Sequence, residues 1–318
     1  MNTGVPEVGV VIVTHNSAEV IGACLDACSG LDTVVVDNGS SDDTLRLVRS
    51  RAWVRVIENG GNAGFAAAVN QGVAAQDHAL ILLLNPDVEL IGPVQHLVTA
   101  CSEPQTGIVT GKLLDGTRQA QAGFNIRRFP TAPALVFEVL GLNRIWPGNA
   151  INRRYRYLDV NLDSAREVEQ PAGALLLFRR TLWTELGGFD PGFHPLWYED
   201  VDFCKRAADR GWKTWYLPSV TARHLGGHSI RKLDWGCREV YWYASLLRYG
   251  SKHLRSWAFR GVSAAVVFGS ILRGVSGVVS RRSFQPVAVY AKIIRLAAMS
   301  LMAGRVPGSS GGGIPVAR

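Results

Sequence analysis

Three observations predict an α/β fold with a mostly parallel sheet. Short, unbroken runs rich in Val and Leu recur through the first part of the chain. Each is followed by a polar loop and then by a segment of helical character. The polar residues collect at the carboxyl ends of the runs, where open α/β sheets bind ligands. Val8–Thr14 (VGVVIVT) is the first run, apolar throughout as a strand buried on both faces should be. His15-Asn16-Ser17 ends it, and residues 18–28 read as a helix. A second run, residues 33–36, ends in DNGSSDD and feeds a helix over residues 44–51, with Ser and Asp suited to capping. Val54–Glu58 leads through NGGNAG into a helix over residues 65–75, and a fourth run, residues 79–84 (ALILLL), stops at Asn85-Pro86-Asp87.

Beyond residue 107 the pattern weakens. Residues 107–160 mix short apolar runs with Pro, Gly and Arg-rich loops and give no clear element. Residues 172–178 (AGALLLF) predict another buried strand, 181–186 a short helix and 213–218 (KTWYLP) a last strand, followed by HLGGHS. There is no internal repeat.

At 318 residues and 47% hydrophobic, the chain can bury a substantial core, which excludes a disordered protein. Its charge is uneven. Residues 1–100 hold 4 Lys/Arg against 11 Asp/Glu, whereas residues 227–318 hold 14 against 2. Five scattered cysteines show no zinc-type pair of pairs and suit a reducing compartment. Cys24 and Cys28, one helical turn apart, read as small apolar residues on a buried face. No basic region precedes an apolar core at the start, so the expectation is a cytoplasmic protein.

The basic end decides the partner. Residues 238–253 are helical and aromatic-rich. Residues 256–279 are apolar but carry Arg260 and Arg273, leaving twelve residues as the longest uncharged run, against roughly 20 for a spanning helix. Residues 288–303 carry Lys292 and Arg295. Arg, Lys and Trp beside apolar faces predict helices lying on an anionic membrane surface. Nucleic acid would call for alternating aromatic and basic residues instead of long apolar runs, and is excluded.

The chemistry centres on residues 187–206 (GGFDPGFHPLWYEDVDFCKR). A double glycine and a proline turn lead through aromatic residues into Glu199, Asp200 and Asp202. The spacing of Val201, Cys204 and Ala207 is helical, which puts Asp200 at or next to the N-cap. Free N–H groups and the helix dipole keep a carboxylate ionised there. An isolated aspartate would simply cap the helix. Carboxylates beside Trp197 and Tyr198 after a glycine-rich turn suit a sugar-facing base. Asp87, straight after a buried strand, is placed to hold a divalent cation against phosphates, and His224 could add a nitrogen ligand. No GxxxxGK[ST] loop and no strand-linked GxGxxG is present, which argues against a P-loop NTPase and a dinucleotide dehydrogenase.

In order, VVIVTHN, DNGSSDDT, NAGFAAAVN, LLLNPDV, GALLLFR, the 187–206 stretch and HLGGHS resemble glycosyltransferase family 2, most closely its bacterial rhamnosyltransferase-like members, over residues 8–255. The resemblance implies a GT-A fold, Rossmann-like with a mostly parallel sheet flanked by helices. The catalytic domain is then expected over 1–230; composition and charge predict a basic amphipathic helical region at the membrane surface (231–305) and a disordered tail (306–318). It implies inverting transfer with Asp200 as base and Asp87 and His224 holding Mg²⁺ or Mn²⁺. Thr14, Asn16, Asp37, Asn62, Gly64 and Asn70 would contact the nucleotide sugar, joined by Asn85, Trp197 and Glu199. Ser229 and Arg231 would close over the diphosphate. Asn85 stands where many members have the first aspartate of a DxD motif, which removes one carboxylate from the cation site. The expected donor is dTDP-rhamnose. The alternatives are a UDP-linked galactofuranose, N-acetylglucosamine or hexose, or a non-catalytic nucleotide-sugar-binding scaffold. The expected acceptor is a polyprenyl-linked or polysaccharide glycan at the inner face of a bacterial plasma membrane.

Overall fold

The computed structural model describes residues 8–306, apart from the side chains of His228 and Ser229. The expected tail beyond Val306 lies outside the described residues. In chain order the elements begin with β1 (Val8–Thr14), α1 (Ile21–Ala27), β2 (Asp32–Asp37), α2 (Thr44–Arg49), β3 (Val54–Glu58) and α3 (Phe65–Ala74). Next come β4 (Leu80–Leu84), β5 (Val88–Leu90), α4 (Gln95–Ala100), β6 (Thr106–Leu114), β7 (Ile126–Arg127), α5 (Ala132–Val139), α6 (Leu142–Ile145) and α7 (Ala150–Tyr155). Then follow β8 (Arg166–Val168), β9 (Gln170–Pro171), β10 (Leu175–Arg179), α8 (Arg180–Leu186), α9 (Glu199–Ala208) and β11 (Lys213–His224). The chain closes with α10 (His228–Arg231), α11 (Trp235–His253), α12 (Ser256–Arg281) and α13 (Gln285–Ala303).

These elements form two compact units. One comprises residues 8–129, 159–190 and 199–229; the other comprises 130–158, 191–198 and 230–306. The second unit therefore takes two segments that a cut at residue 230 leaves with the first. The reason is local packing, since α5 sits against α12 and α7.

The first unit is built on one mixed sheet in the order β3-β2-β1-β4-β10-β6-β11-β5, with β8 also paired to β11. The four predicted strands are parallel to one another. β10 runs antiparallel between β4 and β6, which reverses the direction once inside the sheet. Alternate residues of β1 enter opposite layers: Val10 and Ile12 join one buried cluster, Val11 and Val13 the other. That is why the run is apolar at every position. β11 extends beyond the predicted stretch. Its register against β6 shifts between Leu217 and Thr221, around Pro218, and pairing then resumes as far as Arg223. A bulge is where a sheet tolerates a proline. The extension places His224 at the end of β11, opposite Val88 of β5.

In the second unit, α12 continues through Arg273 without a break. Both α12 and α13 are long and apolar enough to cross a membrane by length and composition. Counting uncharged residues alone underestimated α12, because the Arg273 guanidinium is satisfied internally by the carbonyls of Val139 and Glu138. A charge on the packed side leaves the outer side apolar. Trp257, Phe268, Ile271, Leu272, Val275 and Val279 of α12 are all exposed.

Candidate active site

The carboxyl ends of β1, β2, β3 and β4 carry loops at one edge of the sheet. Three of these loops are knitted together by their own side chains. The Thr14 hydroxyl donates to Asp37 Oδ1 at 2.8 Å, and Asp37 also accepts from the Ser40 hydroxyl and, through Oδ2, from the Ser40 N–H. Thr14 and Asp37 are essentially buried. Asn16 adopts a left-handed conformation (φ 52°), which asparagine tolerates, and its Oδ1 accepts from the N–H and hydroxyl of Ser41. Asn38 donates to the Gly64 carbonyl and accepts from Asn59, tying in the third loop. Exposed Asn62 receives the Gly64 N–H on its Oδ1 at 2.9 Å, a local turn.

Asn70 behaves differently from its neighbours in sequence. Its Oδ1 accepts from the Phe189 N–H at 2.9 Å and the Trp183 indole at 3.3 Å, while Nδ2 donates to the Phe189 carbonyl at 2.8 Å. The amide thus clamps the turn before the predicted base. Gly188 in that turn has φ 76°, and a Cβ there would lie 2.6 Å from the Asn70 oxygen, so only glycine fits. Arg206 holds the same turn from α9, donating to the carbonyls of Leu186 and Gly188 at 2.8 Å while paired with fully buried Asp202.

These anchors fix the start of α9. Asp200 lies in its first turn, with Oδ2 receiving the Gly173 N–H and Oδ1 the Val201 N–H, each at 2.8 Å. Gly173 has to be small, since a Cβ would stand 3.1 Å from that of Asp200. Burial raises the Asp200 pKa above the ordinary aspartate value; the two N–H groups and the Arg127 guanidinium oppose the rise. Glu199 is buried, and its Oε2 has no hydrogen-bond partner among the described residues. Burial first, and then the Asp200 carboxylate, push its pKa well above the glutamate range. Two neighbouring carboxylates, both shifted upward and Glu199 the further, are the kind of unequal pair that acid–base chemistry uses.

One residue along from Gly173, the Ala174 carbonyl accepts the Asn85 N–H at 3.0 Å. This bond brings the loop after β4 beside the Asp200 anchor. In that loop Asp87 Oδ1 lies 3.6 Å from His224 Nε2, with both side chains nearly buried. The Leu225 N–H donates to the Asp87 carbonyl at 3.2 Å. Burial lowers the His224 pKa, with Asp87 offsetting part of the effect. The far ring nitrogen contacts Gln121, and Phe124 stacks on the ring with centroids 5.2 Å apart. Cys24 donates its thiol to the Asn85 carbonyl at 3.5 Å, and both Cys24 and Cys28 are buried packing residues.

No cluster of three His, Cys, Asp or Glu residues is present among the described residues. Two donors, one carboxylate and one imidazole, therefore face each other at Asp87 and His224. A hard divalent cation in a phosphate site takes one or two protein ligands and completes its shell with phosphate oxygens and water. The donor set fits such an ion.

Thr14, Asn16, Asp37, Asn62, Gly64, Asn70, Asn85, Asp87, Glu199, Asp200 and His224 all belong to the sheet unit. Trp197 and Arg231 belong to the helical unit. Trp197 is half-buried and, with Tyr198, has a positive φ (78° and 69°), an uncommon backbone state for bulky residues. Arg231 is exposed at the end of α10. The Ser229 side chain lies outside the described residues. Gln121 and Phe124 carry no motif and could not be singled out from one sequence; Arg206 closes the 187–206 stretch, but its hold on the preceding turn shows only in three dimensions.

Known proteins agree with this architecture. The chain is 28% identical over 218 residues to the N-acetylglucosaminyl-diphospho-decaprenol L-rhamnosyltransferase of Mycobacterium tuberculosis, covering 63% of this chain and 68% of that protein. It is 25% identical over 239 residues to rhamnosyltransferase WbbL of Escherichia coli, covering 70% and 84%. Among solved structures, the mannosyltransferase PcManGT of Pyrobaculum calidifontis, determined with GDP-Man and Mn²⁺, superposes with a TM-score of 0.51 at 18% identity, covering 94% of this chain and 88% of that one. Residues 6–238 match the family described as glycosyltransferase like family 2, and the protein is a member of that family of transferases.

Proposed function

We propose that the protein is an inverting glycosyltransferase that moves rhamnose from dTDP-rhamnose onto a polyprenyl-linked or polysaccharide acceptor. The observation that carries this reading is Asp200, a half-buried carboxylate held by two backbone N–H groups at the start of α9. Its raised pKa improves it as a proton acceptor while leaving it ionisable. Ionised Asp200 takes the proton from the attacking hydroxyl. The leaving diphosphate departs from the opposite face, so one in-line displacement inverts the anomeric centre.

Asn16, Asp37, Asn62 and Gly64 present the loops that hold the nucleotide; Thr14 acts by building those loops, and Asn70 by clamping the turn before Asp200. Asn85 and Glu199 complete the sugar side. Asp87 and His224 would hold Mg²⁺ or Mn²⁺, which when bound neutralises charge on the diphosphate. The Mn²⁺ in the mannosyltransferase structure supports this reading, and the names of the two bacterial relatives support rhamnose and a lipid-linked acceptor.

The helical unit supplies the attachment to the inner face of the plasma membrane. No acidic residue follows Glu239, and the exposed side of α12 between Arg260 and Arg281 is uncharged. An apolar strip bounded by arginines matches an anionic bilayer surface. Sedimentation with vesicles containing anionic lipid checks this, with Phe268→Glu expected to release the protein.

Turnover over a panel of dTDP- and UDP-linked sugars, with Mn²⁺, Mg²⁺ or EDTA, tests the transferase reading. Cation-dependent consumption of dTDP-rhamnose is the expected result. Preference for a UDP-sugar would replace the donor. Failure to bind any nucleotide by calorimetry would leave only a scaffold.

A further inference from the structure

The stretch between β6 and β7 carries no motif, yet it supplies the side chain that fixes His224. Gln121 meets this histidine twice. Its Nε2 donates to the His224 carbonyl at 2.8 Å, and its Oε1 lies 2.9 Å from Nδ1. A backbone carbonyl can only accept, so the NH₂ end of the amide must face it. The Oε1 end can then only accept, and Nδ1 must carry the ring proton. In the neutral ring Nε2 is then left with a lone pair, 3.6 Å from Asp87 Oδ1. Two acceptors facing each other at this distance leave a place for a positive centre.

The rest of the surroundings make the arrangement firm. Phe124 lies nearly parallel to the imidazole, at 15°, and restricts ring rotation. The Gln121 N–H is bonded to the Leu113 carbonyl at 3.0 Å. The Asp115 carboxylate ties the preceding turn by accepting from the N–H groups of Thr117 and Gln119.

We propose that Gln121 is a positioning residue: it locks His224 as the Nδ1–H tautomer and so aims the Nε2 lone pair at the cation site shared with Asp87. This rests on the reading of Asp87 and His224 as cation ligands. In the other tautomer an Nε2–H would bond to Asp87 and close the site to a cation. Partners on the outer nitrogen of a ligating histidine set its tautomer and basicity in just this manner.

The test uses the full chain in two measurements. Ring ¹⁵N spectra of His224 in the metal-free protein read the tautomer. Calorimetry with Mg²⁺ and Mn²⁺, in the presence of dTDP, reads cation affinity. The wild type should be protonated at Nδ1 alone. Gln121→Met should mix the tautomers and weaken cation binding by about 10–100-fold without lowering the melting temperature to match. Gln121→Glu keeps an acceptor for Nδ1–H but loses the donor to the His224 carbonyl, so it should hold the Nδ1–H tautomer and recover part of the affinity lost in Gln121→Met. A wild-type ring protonated at Nε2 would overturn the proposal. So would undiminished affinity in Gln121→Met when His224→Ala has lost it. If His224→Ala and Asp87→Ala both bind cations as wild type does, the cation site itself is refuted, and the proposal with it.

Discussion

The loops after β1, β2 and β3 and the loops around Asp87, Asp200 and His224 share one edge of the sheet but use polar groups in opposite ways. In the first set the groups are spent on one another: Thr14 on Asp37, Asp37 on Ser40, Asn16 on Ser41, Asn59 on Asn38. In the second set they are left in tension. Glu199 Oε2 has no partner among the described residues, Asp200 is held ionisable against burial, and His224 Nε2 faces a carboxylate. Satisfied polar networks rigidify, whereas unsatisfied ones are costly and persist where chemistry uses them. A motif residue can thus be recognisable because it builds the loop, and not because it touches the ligand.

That contrast can be broken by substitutions on either side. Apart from the base itself, the largest effect is expected at the tense cluster: His224→Ala should weaken Mn²⁺ binding in the presence of dTDP on the order of 100-fold, read by calorimetry. Among the building residues, Asn70→Ala leaves both polar groups of Phe189 without their partner and should cost about 2–3 kcal/mol in urea unfolding. Thr14→Val removes one buried hydrogen bond at constant shape and should cost about 1 kcal/mol, with nucleotide affinity falling only as far as the loop loosens. Glu199→Gln should have the smallest effect, and one of opposite sign. The folded interior favours neutral Glu199. Its contribution is therefore fully present below the ordinary glutamate pKa and is lost as pH rises towards the raised one. Above that window the glutamine variant should melt higher than wild type, and at acid pH the two should coincide.

The same contrast explains what a single sequence could and could not disclose. β1, β2 and β4 were legible because two apolar layers demand Val, Ile or Leu at nearly every position. Asp87, Asp200 and His224 were legible because they follow strands or open a helix at recognisable turns. The Gln121–Phe124 support was not, because its partner lies 103 residues away on β11 and no local pattern demands glutamine there. β10 was expected as a strand, but its reversed direction has no local signature, since a strand buried on both faces reads the same either way. In α12, Arg273 concealed a continuous helix until its carbonyl partners on α5 were visible.

The assignment of Asp200 as the base is most directly tested by Asp200→Asn, measured for transfer and for donor binding on the same preparation. Asparagine keeps the volume and an oxygen for the Gly173 N–H, but it cannot take a proton at neutral pH. Transfer should fall by about 10²–10⁴-fold while dTDP-sugar affinity stays near wild type, and the wild-type rate should decline on the acid side at a pH above the ordinary aspartate range. Transfer by Asp200→Asn at the wild-type rate would contradict the account, and the proton would have to leave by another group.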